Sequence, residues 1–225
     1  MSAPPARQLV APGELPRHRH AEPYVALVLA GSYEEAGDNG RRRVREGDVL
    51  VHCAWEAHLN RVPGRGARVL NLPVVAGLAP FGRIDDVDMV AGLHERDPVA
   101  AALALCNQFC ADTSTTSDDW PEILATGLAA PAGGGLGEWA ERLGIRPEHL
   151  SRRFTRLYGV GPQRFRWEAR TRAAWRDVVG TSAALAQIAL THGFADQAHM
   201  TRSIHALTGR PPGVWRRSNA FKTAA

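Results

Sequence analysis

The chain has few cysteines, a single lysine and no long apolar run. Cys53, Cys106 and Cys110 are the only thiols in 225 residues. So sparse and odd a set does not make a disulfide framework, and it points to a reducing, cytoplasmic setting. No apolar stretch approaches the roughly 18 residues of a membrane span, so no membrane partner is expected. The N-terminus holds Pro4, Pro5 and Arg7 without an apolar core, which is not the pattern of a secretory leader. Also missing are a phosphate-binding Gly loop, a G-x-S-x-G elbow and an H-E-x-x-H pair. With no catalytic constellation in view, the chain is not expected to be an enzyme. Of its 27 basic residues only Lys222 is a lysine, which reads as coding bias rather than chemistry.

Charge is unevenly placed. Residues 131–225 hold 15 Lys and Arg against 6 Asp and Glu, a balance of +9. Residues 1–130 hold 12 against 17, a balance of −5. A basic half joined to an acidic half implies a polyanion partner for one half only.

The basic half repeats itself. Leu136, Trp139, Ala140, Gly144 and Ile145 recur 49 residues later as Leu185, Ile188, Ala189, Gly193 and Phe194. His149, Leu150, Ser151, Arg152, Phe154, Leu157, Gly159, Pro162 and Phe165 recur 50 residues later as His199, Met200, Thr201, Arg202, Ile204, Leu207, Gly209, Pro212 and Trp215. Each copy reads as an amphipathic helix, a Gly turn and a second amphipathic helix. In the first copy Leu150, Phe154 and Leu157 form the buried stripe. At 100° per residue Glu148, Arg152 and Thr155 point the other way, with Ser151 at the edge. In the second copy Met200, Ile204 and Leu207 are inward, and Gln197, Thr201 and Arg202 outward. A helix of this width fits the major groove of double-stranded DNA, where Arg bonds the O6 and N7 of guanine and Gln reads adenine. Between the copies, Gly161-Pro162 opens a long helix to about Val179, with Arg164, Arg166, Arg170, Arg172 and Arg176 suited to nearby phosphates.

The acidic half reads as short strands over residues 22–75. Gly37-Asp38-Asn39-Gly40 is a hairpin signal and Gly47-Asp48 a second turn. After residue 80 the texture becomes helical, first over Asp85–Leu93. Asp97-Pro98 then supplies an N-cap and a Pro at the first helical position. A helix through Phe109 places Val99, Leu103, Cys106 and Cys110 on one face, widened by Leu105 and Phe109. An apolar arc so wide is expected to be covered on two sides, within the domain or by a second copy in a homodimer. Cys106 and Cys110 read as buried small residues and Cys53 as a core thiol. Asp112–Asp118 reads as a linker. Asp119-Trp120-Pro121 starts another helix.

At these residues a resemblance enters. LGEWAERLGIRPEHLSRRFTRLYGVGPQRFRWEARTRAAW followed by LAQIALTHGFADQAHMTRSIHALTGRPPGVWR resembles the DNA-binding domain of AraC/XylS-type transcription regulators, over roughly residues 118–217. The resemblance implies two helix-turn-helix units that read successive major grooves through Glu148, Ser151, Arg152, Thr155, Gln197, Thr201 and Arg202. Two departures are Ile204, where the family usually has Phe, and the Gly-rich stretch before Leu136. Residues 14–75 more weakly resemble the cupin-like effector domain often joined to this unit. That resemblance implies a barrel whose interior takes a small-molecule or metal effector. His18 and His20, two apart on a strand, share one side. Gly47-Asp48 followed by His58 and Asn60 is similar to the second cupin metal motif. His18, His20 and His58 would suit zinc or another divalent metal. Tyr24 sits where a cupin usually places Glu, leaving Glu22, Glu34 and Glu35 as substitutes. His residues of this kind also line metal-free pockets for organic effectors.

The expected fold is thus α+β. Residues 1–111 form a cupin-like barrel (jelly roll) with following helices, and residues 112–118 the linker. Residues 118–217 form an all-α domain with two helix-turn-helix units, and residues 218–225 a tail. The expected function is a cytoplasmic, sequence-specific DNA-binding regulator that answers an effector. The alternatives are a metal-dependent cupin enzyme with a DNA-binding appendage and a sequence-indifferent architectural protein.

Overall fold

The computed structural model describes residues 4–112, 119–130 and 133–220. The chain divides into two compact units, Met1–Glu122 and Ile123–Ala225. The expected linker lies outside the described residues except for Asp112, as do residues 221–225 of the expected tail.

The first unit runs β1 (Arg7–Val10), β2 (Gly13–Arg19), β3 (Tyr24–Gly37), β4 (Gly40–Arg45), β5 (Asp48–His52), β6 (Ala57–Val62), β7 (Ala67–Leu72), β8 (Phe81–Arg83), α1 (Val87–His94), α2 (Pro98–Gln108) and β9 (Cys110–Ala111). The long strand β3 organises it. Its first half pairs antiparallel with β5 and β7. Its second half pairs with β4 and β6. Strand β1 extends the first group beyond β7, and β8 and β9 extend it beyond β5. Strand β2 extends the second group beyond β6. The register slips between Val28 and Ala30, just before Gly31 at φ +81°. A Cβ at Gly31 would overlap the Gly66 carbonyl, so only glycine allows this crossing of backbones. Among the described residues the hydrogen-bonded ladder does not close. Strands β1, β9, β2 and β4 are edges, so the sheet is open where a closed barrel was expected.

Both faces of β3 are covered, which explains the unbroken apolar run from Tyr24 to Leu29. Tyr24, Ala26 and Val28 join Tyr33, Val44, Leu50, Val62 and Val69 in one core. Val25 and Leu27 face the opposite way, into Val49, Leu70, Leu72, Ile84, Val90 and Leu105. Asp86 caps α1 through the Met89 N–H at 2.9 Å. Asp97 caps α2 through Val99 and Ala100 at 2.9 and 3.0 Å, with Pro98 at the first helical position. Helix α2 buries only Ala101, Ala102 and Leu105, while Val99 is 61% and Leu103 52% exposed. The expected two-sided coverage is one-sided within this chain.

The cysteine expectations are corrected. Helix α2 stops at Gln108, because Phe109 turns extended at ψ +115° and sets its ring where a Cβ at Gly82 would otherwise sit. Cys110 consequently falls in β9 rather than on the helix and is exposed, as is Cys53, while Cys106 is half-buried.

The second unit is helical, formed by the later turns of α3 (Trp120–Ala129) with α4 (Leu136–Leu143), α5 (Pro147–Tyr158), α6 (Pro162–Gly180), α7 (Leu185–Thr191), α8 (Gln197–Thr208) and α9 (Pro212–Ala220). The repeat is visible in the backbone. Gly144 and Gly193 both turn left-handed, at φ +64° and +68°. The following residues close the turn alike, Ile145 N–H on the Ala140 carbonyl at 3.0 Å and Phe194 N–H on Ala189 at 2.9 Å. This is the hydrogen-bond pattern of a glycine-terminated helix. The long helix α6 buries Phe165, Ala169, Ala174, Trp175 and Val178 and supports both copies.

Candidate nucleic-acid interface and candidate metal centre

The two second helices, α5 and α8, present the predicted outward faces, while on the inner side of α5 Leu157 is half-buried and Tyr158 takes its expected place in the core. Leu150, Phe154 and Tyr158 are wholly buried, and Phe154 stacks on Tyr158 at 4.5 Å while meeting Phe165 edge-on at 5.3 Å. Opposite them Glu148, Arg152 and Thr155 are exposed and Ser151 is half-exposed. In α8, Met200, Ile204 and Leu207 are buried, Gln197 and Arg202 are exposed and Thr201 is half-exposed. Ile204, the departure from the resembled pattern, is fully buried without strain on the repeat. The Thr155 hydroxyl donates to the Ser151 carbonyl at 2.8 Å, so it meets a partner mainly as an acceptor. Beside the predicted residues, His149, Arg152, Arg153 and Arg156 line one open groove along α5. Sequence reasoning left Arg153 and Arg156 out, although their spacing of four and seven from His149 places them on its stripe.

The arginines of α6, expected near phosphates, make contacts within the unit. Arg166 donates to the Gly134 carbonyl at 3.1 Å. Arg170 donates to the Gly193 carbonyl at 2.9 Å and lies 4.4 Å over the Phe194 ring, fastening the second turn. Arg164 pairs with Glu168 at 2.9 Å and covers Trp167 at 4.0 Å. Arg172 is buried. Of the five, Arg176 is exposed and carries no such contact. Arg166 and Arg170 hold carbonyls, and Arg164 and Arg170 cover aromatic rings, so the first role of these three is architectural.

In the first unit the three predicted histidines converge. His18 and His58 are opposed partners on β2 and β6, with ring centroids 4.4 Å apart. His20 lies 5.2 Å from His18 and 5.8 Å from His58. One ligand atom from each falls within 4.8 Å of the others. The structure adds two residues. Glu35 and His52 form a second such group with the same His58. Glu22 and Glu34 do not join either group. Around these groups a cavity of about 20 Å³ is lined from β1, β2, β3, β5, β6 and β7, room for roughly one water-sized sphere.

Local contacts fix the histidines. Arg17, next to His18, forms a buried ion pair with Asp38 at 2.6 Å, and Asp38 also accepts from the Ala57 N–H at 3.0 Å. The Trp55 N–H donates to the His20 carbonyl at 2.8 Å, with Trp55 held at φ +63°, an uncommon conformation for so bulky a residue. Burial, with the neighbouring histidines, pushes His52 down to about 3 and His58 well below its ordinary value. Burial likewise lowers His18, against the raising effect of its bond to the Pro16 carbonyl. The imidazoles of His18, His52 and His58 are thus neutral at neutral pH, the form that binds metals. Burial raises Glu35 well above the usual carboxyl range, helped by the charge of Glu56. The Nδ1 atoms of His52 and His58 are buried without a hydrogen-bond partner. Orphaned imidazole nitrogens and a desolvated carboxyl fit a divalent cation. A larger cleft of about 430 Å³ lies among Arg41, Arg42, Arg43, Phe81 and Asp112. In it Arg42 already pairs with Asp112 at 2.6 Å and covers Phe81 at 4.1 Å.

Together these observations define a chain with a helix-turn-helix unit behind a β-rich unit. Residues 139–218 match a family model described as a helix-turn-helix domain, so the second unit carries such a domain. A segment of 81 residues is 35% identical to an uncharacterized HTH-type transcriptional regulator of Staphylococcus aureus (strain MSSA476), covering 36% of this chain and 11% of that protein. The chain therefore matches only about a ninth of the length of this relative. Among solved structures, the DNA-binding domain of AdpA in complex with a target DNA aligns at 20% identity and TM-score 0.43, over 47% of this chain and 96% of that one. ToxT from Vibrio cholerae aligns at 8% identity and TM-score 0.41, over 94% of this chain and 97% of that one. No helix among the described residues is long and apolar enough to cross a membrane.

Proposed function

We propose that this protein is a sequence-specific DNA-binding transcription regulator of the AraC type. One observation carries the reading. Two helix-turn-helix copies in one unit place Arg152 and Arg202 at equivalent exposed positions on α5 and α8. Glu148, Ser151, Thr155, Gln197 and Thr201 flank them, so each helix offers a short mixed donor and acceptor surface of major-groove width. The excess of +9 in residues 131–225 supplies phosphate affinity. The first unit is the sensor, a cupin-like fold that receives a small ligand or a divalent metal such as zinc between the two halves of its sheet. His18, His20 and His58 are the first candidates to hold the metal. The exposed Val99 and Leu103 on α2 support a homodimer contact at that helix. The cytoplasm is the compartment this function requires.

The test is a binding titration of the full chain against its own promoter and a scrambled duplex, from 50 to 200 mM salt. With 6–10 phosphate contacts, affinity falls about 10³–10⁵-fold over that range. A regulator prefers the promoter. Equal affinity for both duplexes identifies an architectural protein instead, and a flat salt response refutes DNA binding through the basic unit.

A further inference from the structure

The predicted trio is not the only donor set in the first unit, nor the more enclosed one. His18 and His20 are half-exposed, whereas Glu35, His52 and His58 are 6%, 3% and 2% exposed. Glu35 comes from the second half of β3, His58 from β6 and His52 from the end of β5. We propose that a first-row divalent metal ion is held at an inner site by Glu35, His52 and His58. The proposal rests on the metal-binding reading of the sensor unit and changes its ligands.

Several observations converge on this set. The ligand atoms of the three residues lie within 4.8 Å of one another. Small side-chain rotations then bring each to the bond length of a shared zinc ion, about 2.0–2.2 Å. His52 turns its Nε2 towards Glu35 and its Nδ1 towards Glu56, at 3.7 and 4.0 Å, and the Nδ1 of His58 is buried without a hydrogen-bond partner. The His18 Nδ1 bonds the Pro16 carbonyl at 2.9 Å, which leaves its Nε2 as the ligand atom of the outer set. The Glu35 carboxyl lies 3.7 Å from the His52 ring nitrogen, and the Asn60 amide, oriented to donate, lies 3.2 Å from the same oxygen. A donor on one oxygen leaves the other lone pairs to a cation and fixes the carboxyl plane, as partners of metal ligands do. Gly37, opposite His58, completes the fit. A Cβ there would lie 2.9 Å from the His58 Cβ, so any larger residue would displace the imidazole.

Two imidazoles and one carboxylate with open positions suit zinc or iron(II). The inner set also has a mechanical consequence that the outer one lacks. His18 and His58 lie on directly paired strands, with His20 just past the end of β2, so an ion there ties together one edge. His52 belongs to the β1–β7–β3–β5 half of the sheet, and Glu35 and His58 belong to the other half. An ion at the inner site therefore braces both halves across the shared strand, which makes its occupancy a signal to the whole unit.

The experiment uses untagged full-length protein, zinc(II) as the probe, and elemental analysis with competitive zinc titration. E35Q and H52Q should each weaken zinc at least tenfold while the far-UV circular dichroism stays that of wild type. The H18A/H20A double variant should keep one zinc per chain. X-ray absorption of zinc-loaded wild type needs no variant and should count two imidazoles, not three. Retention of zinc by E35Q and H52Q, or a three-imidazole spectrum, overturns the inner site. If H18A/H20A alone loses the ion, the outer trio stands and only this proposal fails. If wild type takes up no zinc, both metal readings fail together, and the DNA-binding reading is untouched.

Discussion

Replacing Arg152 by Ala isolates the base-reading step from everything else the helix does. The back of α5 is fixed by the buried Leu150, Phe154 and Tyr158, whereas Arg152 is on the exposed face. Arg152 is exposed, and Ala is the better helix former, so stability should change by no more than about 0.5 kcal/mol. A bidentate guanine contact is worth about 1–3 kcal/mol, which is roughly a 5- to 150-fold loss of affinity for the native operator. The same range applies to Arg202→Ala, because the repeat sets it at the corresponding point of α8. Footprinting would locate the operator, and titrations at one fixed salt concentration would compare it with a scrambled duplex. A base contact lowers the preference for the operator, whereas a phosphate contact weakens both duplexes equally. If both variants bind the operator as tightly as wild type, or lose affinity without losing preference, Arg152 and Arg202 do not read bases.

Three further outcomes follow from other parts of the structure. Arg170→Ala removes the bond to the Gly193 carbonyl and the cover over Phe194, so it should destabilise the second unit by about 1–3 kcal/mol; an unchanged melting temperature would show that the second turn does not need this fastening. Gly127→Ala drives a methyl group into the Trp139 indole and should cost about 1–3 kcal/mol, lowering the melting temperature and DNA affinity together; a neutral result would mean that α3 and α4 part without penalty. For chelator-treated protein, His52 and His58 are neutral when folded but titrate near 6.5 when unfolded, so their contribution is complete above that pH and lost as it falls. Glu35, raised in the folded state by burial and the charge of Glu56, opposes them. His18, lowered as well, adds to the loss, so stability falls as the pH drops below about 6.5. Melts from pH 7.5 to 5 that stay level or rise would contradict the buried, neutral imidazoles.

What the sequence determined by itself is the repeat and its chemistry. Helix periodicity depends on neighbours three and four residues away, so the stripes of Leu150, Phe154 and Met200, Ile204 were legible without any fold. The glycines at 144 and 193 announced turns that only a left-handed residue closes. The H-x-H spacing brought His18 and His20 together, although β2 ends at Arg19 and leaves His20 just beyond the strand. Tertiary structure alone decided what meets across long separations. Glu35, His52 and His58 belong to one group because β3 is long enough to join two half-sheets and bends at Gly31, which no local pattern encodes. The same holds for the α6 arginines, whose charge suggested phosphates. The carbonyls of Gly134 and Gly193 accept from Arg166 and Arg170, pairings across 32 and 23 residues that charge alone does not announce.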